Sequence, residues 1–194
     1  MKRTKPLVIV LSAPSGAGKT TIANAVQRAR RKLQFVPGTS TRPQEQRLGG
    51  DTALNFVTPA QFDATRKRGG FLENGRYAGN QYGTRTADVE RVLRSGRTPL
   101  LIVDVKGYAK LRRQSRFATC SIFIKAESLS ELKRRILARR PDMPKTQLAQ
   151  RIARARVELA RSGEYDLVVT NRRGQLKTAI AEVLAAVDSC FARR

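Results

Sequence analysis

The chain has 194 residues, 40% of them hydrophobic, which suits one or two folded domains with a real core and excludes a disordered chain. Its 39 Lys+Arg against 15 Asp+Glu give a formal net charge of +24, a field that attracts polyanions. The basic residues are spread along the chain with no RNA-binding aromatic motif between them, so nucleic acid ranks behind a doubly anionic small substrate. With no histidine and two distant cysteines, a histidine general base is excluded and a conventional zinc site disfavoured, and no apolar run reaches membrane-spanning length.

The first predicted element is a strand over residues 7–11, "LVIVL". It follows the basic Met1-Lys2-Arg3, the order of a signal peptide. It is only a handful of residues, however, and leads straight into a glycine-rich turn, so the expectation is a cytoplasmic protein with no membrane contact. That turn is "SAPSGAGKTT", Ser12 to Thr21, and residues 20–31 follow with helical spacing of Ile22, Ala23, Val26 and Ala29. Backbone N–H groups at such a turn and helix start point at bound anion. Ser15, Gly16, Ala17, Gly18, Lys19, Thr20 and Thr21 are therefore the candidate residues for binding the phosphates of a nucleotide cofactor. Lys19 is expected to reach the β- and γ-phosphates and Thr20 to ligate Mg²⁺. Ala13 stands where the usual Gly-x-x-x-x-Gly-Lys-Ser/Thr pattern has its first glycine; Pro14 after it favours an extended strand exit. The loop alone fits an ATPase, a GTPase or a small-molecule kinase.

Residues 37–84, rich in Gly, Asn, Thr and Arg with a helical stretch near 60–68, read as an inserted subdomain. "PLLIVDV" (99–105) is a buried-strand candidate followed by a helix to about Arg113. "ATCSIFIK" (118–125) is another, followed by a helix capped by Ser130. Cys120 sits in this apolar run and reads as a small buried thiol. "RRPDMPKTQ" (139–147) reads as a mobile lid, "YDLVVTN" (165–171) as a fourth strand, and 175–190 as a C-terminal helix. Apolar strands alternating with helices indicate an α/β fold, a parallel sheet covered on both faces.

The stretch "FLENGRYAGNQYGT" (71–84), with "SAPSGAGKTT" and "STR" (40–42), resembles guanylate kinase. The resemblance continues through "LLIVDVKG" (100–107), "LSELKRRILARR" (129–140) and "YDLVVTN". In that family Ser-Ala-Pro-Ser is an accepted form of the loop. The resemblance implies one domain over 1–194: a P-loop three-layer core (1–36, 85–138 and 148–194), an NMP-binding insertion (37–84) and a short lid (139–147). It implies transfer of the γ-phosphate of ATP, with Mg²⁺, to GMP. Glu73 would read the guanine edge, with Thr84 and Asp104 holding the nucleoside, and Arg42 and Tyr82 would hold the acceptor phosphate. Arg135, Arg139 and Arg151 match the lid arginines that close over the transferring phosphoryl, and Asn171 matches a position near the adenine. Such chemistry rests on positioning and charge neutralisation, so it does not need histidine.

Residues 41–56, "TRPQEQRLGGDTALNF", depart from the family pattern. Counted without gaps, Glu45 falls at the second phosphate arginine, Leu48 at a glutamate and Leu54 at a tyrosine. Gly38 replaces a serine, and Ile102 an acidic residue. Arg47 is the candidate to supply the missing cation. "TRP" with "GGD" (49–51) also resembles ribose 1,5-bisphosphate phosphokinase, a family of the same fold. An altered acceptor is therefore the second expectation, and a catalytically weak binding module that uses its basic surface the third.

Overall fold

Strand β1 (Leu7–Ser12) is buried along its whole length, as a central strand covered on both faces must be. The computed structural model describes residues 5–43, 54–77, 79–114 and 116–193. After β1 come α1 (Lys19–Ala29), β2 (Leu33–Phe35), β3 (Gly38–Ser40), β4 (Leu54–Phe56), α2 (Pro59–Lys67), β5 (Phe71–Tyr77) and β6 (Asn80–Arg85). Then follow α3 (Thr86–Arg94), β7 (Thr98–Ile102), α4 (Val105–Arg112), β8 (Ala118–Ala126), α5 (Leu129–Arg139), α6 (Lys145–Ala160), β9 (Leu167–Asn171) and α7 (Leu176–Ala192). The larger sheet has the order β2-β7-β1-β8-β9, with β2–β7 and β8–β9 parallel. The smaller sheet, β4-β3-β6-β5, is mixed: β3–β4 is parallel, while β3–β6 and β5–β6 are antiparallel.

The chain forms two compact units. The first comprises Met1–Val10 and Arg30–Thr119. In it α3 packs on β7 and β6, and α4 packs on β5. A capping box opens α2: Thr58 Oγ1 accepts from Gln61 N at 3.2 Å, and Gln61 Oε1 accepts from Thr58 N at 2.9 Å. The helix buries Phe62, which stacks on Phe71 with ring centroids 4.4 Å apart. That contact anchors the start of β5.

The second unit comprises Leu11–Ala29 and Cys120–Arg194. Here α7 packs on α1 and β9, and α5 on α6. Ile136, Met143 and Leu148 form a small cluster with Leu137 and Ile152 packed against it. The stretch expected to be a lid is thus short: only residues 140–144 lie outside the two helices, and Met143 within them is buried.

Three expectations change. The strand expected over 99–105 ends at Ile102, because Asp104 turns its carboxylate onto the backbone and caps α4, Oδ1 accepting from Gly107 N at 2.7 Å. The cap of α5 is Ser128, not Ser130. Ser128 Oγ accepts from Glu131 N at 3.1 Å, and Ser130 lies inside the first turn.

The third correction concerns Cys120, which is buried but is not a thiol: it forms a disulfide with Cys190, 70 residues on, with Cα atoms 6.2 Å apart. The last turns of α7 bring Cys190 back to β8, a meeting that no local spacing announces. Closing so long a loop removes roughly 4 kcal/mol of unfolded-chain entropy. Dithiothreitol, or Cys190→Ser, is therefore expected to lower Tm by about 8–16 °C. A melting curve indifferent to reductant would show that the bond contributes nothing. No helix among the described residues is long and apolar enough to cross a membrane.

Candidate active site

The second unit begins with the last two residues of β1, which run into the glycine-rich turn, and α1 starts at Lys19. Ala17 N bonds Pro14 O at 3.2 Å and tightens the turn. Gly16 and Gly18 have φ of 87° and 95°, the left-handed region that glycine occupies without strain. Space adds a second reason. A Cβ on Gly18 would lie 2.5 Å from Asn171 Nδ2, and one on Gly16 would lie 3.1 Å from Ile136 Cγ1.

Asn171 ends β9 and is 5% exposed. Its Nδ2 donates to Ala17 O at 2.9 Å, so its side chain is a strut under the turn. Its own carbonyl accepts from Arg135 Nη2 at 3.0 Å, while Arg135 Nε donates to Glu131 Oε1 at 2.7 Å. Arg134 clamps both oxygens of the same carboxylate, at 2.8 and 2.7 Å. These bonds, Arg134 first and then Arg135, hold the Glu131 carboxyl down at about 2. From α6, Arg151 Nη1 donates to Ser15 Oγ at 3.1 Å. Arg139 closes α5, one turn beyond Arg135, and is exposed.

The unit therefore gathers Ser15 through Thr21, Asn171, Arg135 and Arg151 around one turn. Thr20 and Thr21 sit in the first turn of α1. Glu131, which orients Arg135, went unrecognised in the sequence. Its signal is the run "ELKRR", where spacings of three and four put both arginines on one helix face with the carboxylate.

In the first unit the β5–β6 register pairs Glu73 with Thr84. Thr84, buried, donates its hydroxyl to Glu73 Oε1 at 2.6 Å. Glu73 faces the first turn of α4. A Cβ on Gly107 would lie 2.6 Å from Glu73 Oε2, so only glycine leaves room for the carboxylate. Burial pushes the Glu73 carboxyl up from 4.5 to about 7. The Thr84 hydrogen bond opposes that rise, the Asp104 charge adds to it, and Lys110 counters it. Lys110 is itself tied to the β5 backbone, donating to Asn74 O at 2.6 Å. Glu73, Thr84 and Asp104 thus come together through the first turn of α4, which Asp104 caps.

Arg42 lies two residues beyond the end of β3, whose Ser40 pairs with Tyr82 on β6. Arg42 N donates to Ser40 Oγ at 3.0 Å. Thr41 and Gln81 lace the strands together, at 3.0 Å through Thr41 N and 2.9 Å through Gln81 N. Tyr77 packs near Tyr82 with ring centroids 6.3 Å apart. Arg47, Glu45, Leu48 and the "GGD" stretch lie outside the described residues. Two of the departures prove to be partners: the β3–β4 register pairs Gly38 with Leu54, and a Cβ on Gly38 would lie 3.1 Å from Leu54 Cδ2. The small residue makes room for the branched one opposite it.

A family model for guanylate kinase matches residues 4–189. The guanylate kinase of Chlorobium chlorochromatii is 37% identical over 182 residues, 93% of each chain. That of Anaeromyxobacter dehalogenans is 35% identical over 189 residues, 96% of this chain and 81% of the relative. Among solved structures, the guanylate kinase from Anaplasma phagocytophilum has a TM-score of 0.72 at 23% identity, covering 96% of this chain and 87% of that one.

Proposed function

Because the chain belongs to the guanylate kinase family, we propose that it transfers the γ-phosphoryl group of ATP to GMP, giving ADP and GDP. The observation that carries the acceptor is the Glu73 carboxylate, steadied by Thr84 and given room by Gly107. Guanine offers two adjacent N–H donors, from N1 and N2, to one carboxylate. Adenine and uracil do not offer that pair. Arg42 and Tyr82 hold the acceptor phosphate, whose oxygen attacks the γ-phosphorus as the bond to the β–γ bridging oxygen breaks. The attacking oxygen is already anionic, so no proton has to be removed.

On the donor side, the backbone N–H groups of residues 15–21 cradle the β- and γ-phosphates, and Lys19 neutralises charge developing on them. Asn171 holds the turn in shape through Ala17. Arg135, Arg139 and Arg151 complete the positive surround, with the α5–α6 turn serving as the lid. Among the described residues no group of three or more His, Cys, Asp or Glu could hold a metal. A single hydroxyl from Thr20 together with substrate phosphates is a donor set that suits Mg²⁺. Held there by Thr20, the ion would supply positive charge that neutralises the phosphates. ATP and GMP are cytoplasmic metabolites, and the cytoplasm is where we place the reaction.

A sugar bisphosphate fits less well, because it brings no ring donors to Glu73 and sets a further anion beside Glu73 and Asp104. A coupled assay with ATP–Mg²⁺ should show turnover with GMP and dGMP and none with AMP, UMP or ribose 1,5-bisphosphate. Turnover on the sugar bisphosphate alone would refute the GMP reading, and no turnover on any acceptor would refute the enzyme.

A further inference from the structure

Phosphoryl transfer uses few of the chain's cations, and in the first unit many of the others gather in one band. Helix α3 exposes Arg91 and Arg94, and Arg97 follows its C-terminus, also exposed. Arg97 Nη1 donates to Gln34 Oε1 on β2 at 3.4 Å, and Thr98 N bonds Lys32 O at 2.8 Å, which brings the exposed Arg31 and Lys32 alongside. At the other end, Arg116 Nη2 donates to Glu90 Oε1 of α3 at 2.6 Å. This joins α3 to the exit of α4, where Arg112 and Arg113 are exposed. Ala118 N bonds Pro6 O at 3.0 Å and adds Lys5.

Little negative charge offsets the band. Asp88 is 1% exposed and lies beneath Arg85 and Arg91, and Glu90 is engaged by Arg94 and Arg116. The band is mostly arginine, whose planar fork suits phosphate oxygens. The exposed large hydrophobics among the described residues, Val157 and Leu176, both lie elsewhere. The band therefore has no apolar wedge for a lipid surface and no aromatic platform for unpaired bases.

We propose that this band binds double-helical nucleic acid through its phosphate backbone, without reading sequence. The site is separate from phosphoryl transfer, since none of its residues is placed in the donor or acceptor machinery. The test is fluorescence anisotropy with labelled RNA and DNA duplexes of about 20 base pairs across a KCl series starting near about 50 mM. Lys32→Glu/Arg97→Glu/Arg113→Glu changes the band. Lys67→Glu/Arg68→Glu/Arg76→Glu makes the same change of charge elsewhere in the unit.

The band variant is expected to weaken duplex binding more than about tenfold and to lower the salt slope by about 2–3. The control should bind within about threefold of wild type. Both should keep their Tm and their GMP phosphorylation. Equal loss in both variants would mean that net charge alone attracts the duplex, and would overturn the proposal, as would a wild-type protein that binds no duplex. Affinity for anionic vesicles that only the band variant loses, with duplex binding kept, would reassign the band to membranes and overturn it too.

Discussion

Lys19→Met is expected to leave a folded protein that phosphorylates GMP about 10³-fold more slowly than wild type, a loss of roughly 4 kcal/mol of transition-state stabilisation. Methionine keeps the side chain unbranched and all but its last atom in length, but removes the ammonium. In the transition state charge accumulates on the leaving β-phosphate, and a fixed cation is worth more there than in the ground state. The loss should accordingly fall on kcat more than on KM for ATP. A coupled spectrophotometric assay reads both, with a melting curve to confirm folding. A variant within about threefold of wild type in kcat would show that Lys19 does not neutralise charge on the transferred phosphoryl.

The second large effect concerns Glu73. Glu73→Gln should lower kcat/KM for GMP about 10²-fold, because the amide turns an N–H donor toward guanine donors where the carboxylate accepted. The carboxyl titrates at about 7, raised by burial first, with the Asp104 charge adding and Thr84 and Lys110 opposing. Only its ionised form matches guanine. KM for GMP should therefore fall as pH rises from about 5.5 to about 7.5 and then level off. GMP's own phosphate titrates nearby, but the Glu73→Gln profile carries that titration as well, so the difference between the two profiles isolates the carboxyl.

Stability should move the opposite way. The folded state holds a proton that the unfolded chain has lost above 4.5, so Glu73 costs stability progressively between 4.5 and about 7, and its full cost applies above that. Glu73→Gln is thus expected to raise Tm at pH 8 while it lowers activity, the trade of a site built for ligand rather than for folding. Matching pH profiles for the two proteins would show that Glu73 does not meet the base.

Much of the donor site is legible in a short run of sequence. "SAPSGAGKTT" carries its strand exit, its glycines and its helix start in one local segment, and backbone conformation there follows from neighbouring residues. The four long apolar runs are readable for the same reason, since burial on both faces demands uninterrupted apolar side chains. Strand β2 escaped because it is three residues long and only Leu33 is buried. Helix α3 escaped because its inward face includes Asp88, a charged residue made tolerable by Arg85 and Arg91. Gly38 and Leu54 look like two separate departures in the sequence. The β3–β4 register makes them one accommodation.

Wherever cause and effect lie within a few residues, the order of amino acids decided the outcome: the α/β rhythm and the phosphate-type turn. Where two distant segments had to meet, only the folded chain decided. Cys120 became half of a disulfide because α7 returns Cys190 to β8. Asn171 became a strut beneath the turn because β9 ends against Ala17. The Glu73 carboxyl moved to about 7 because burial beside α4 withdraws water from it. Burial and long-range proximity are properties of the assembled chain, and they set the chemistry of residues whose identity the sequence already named.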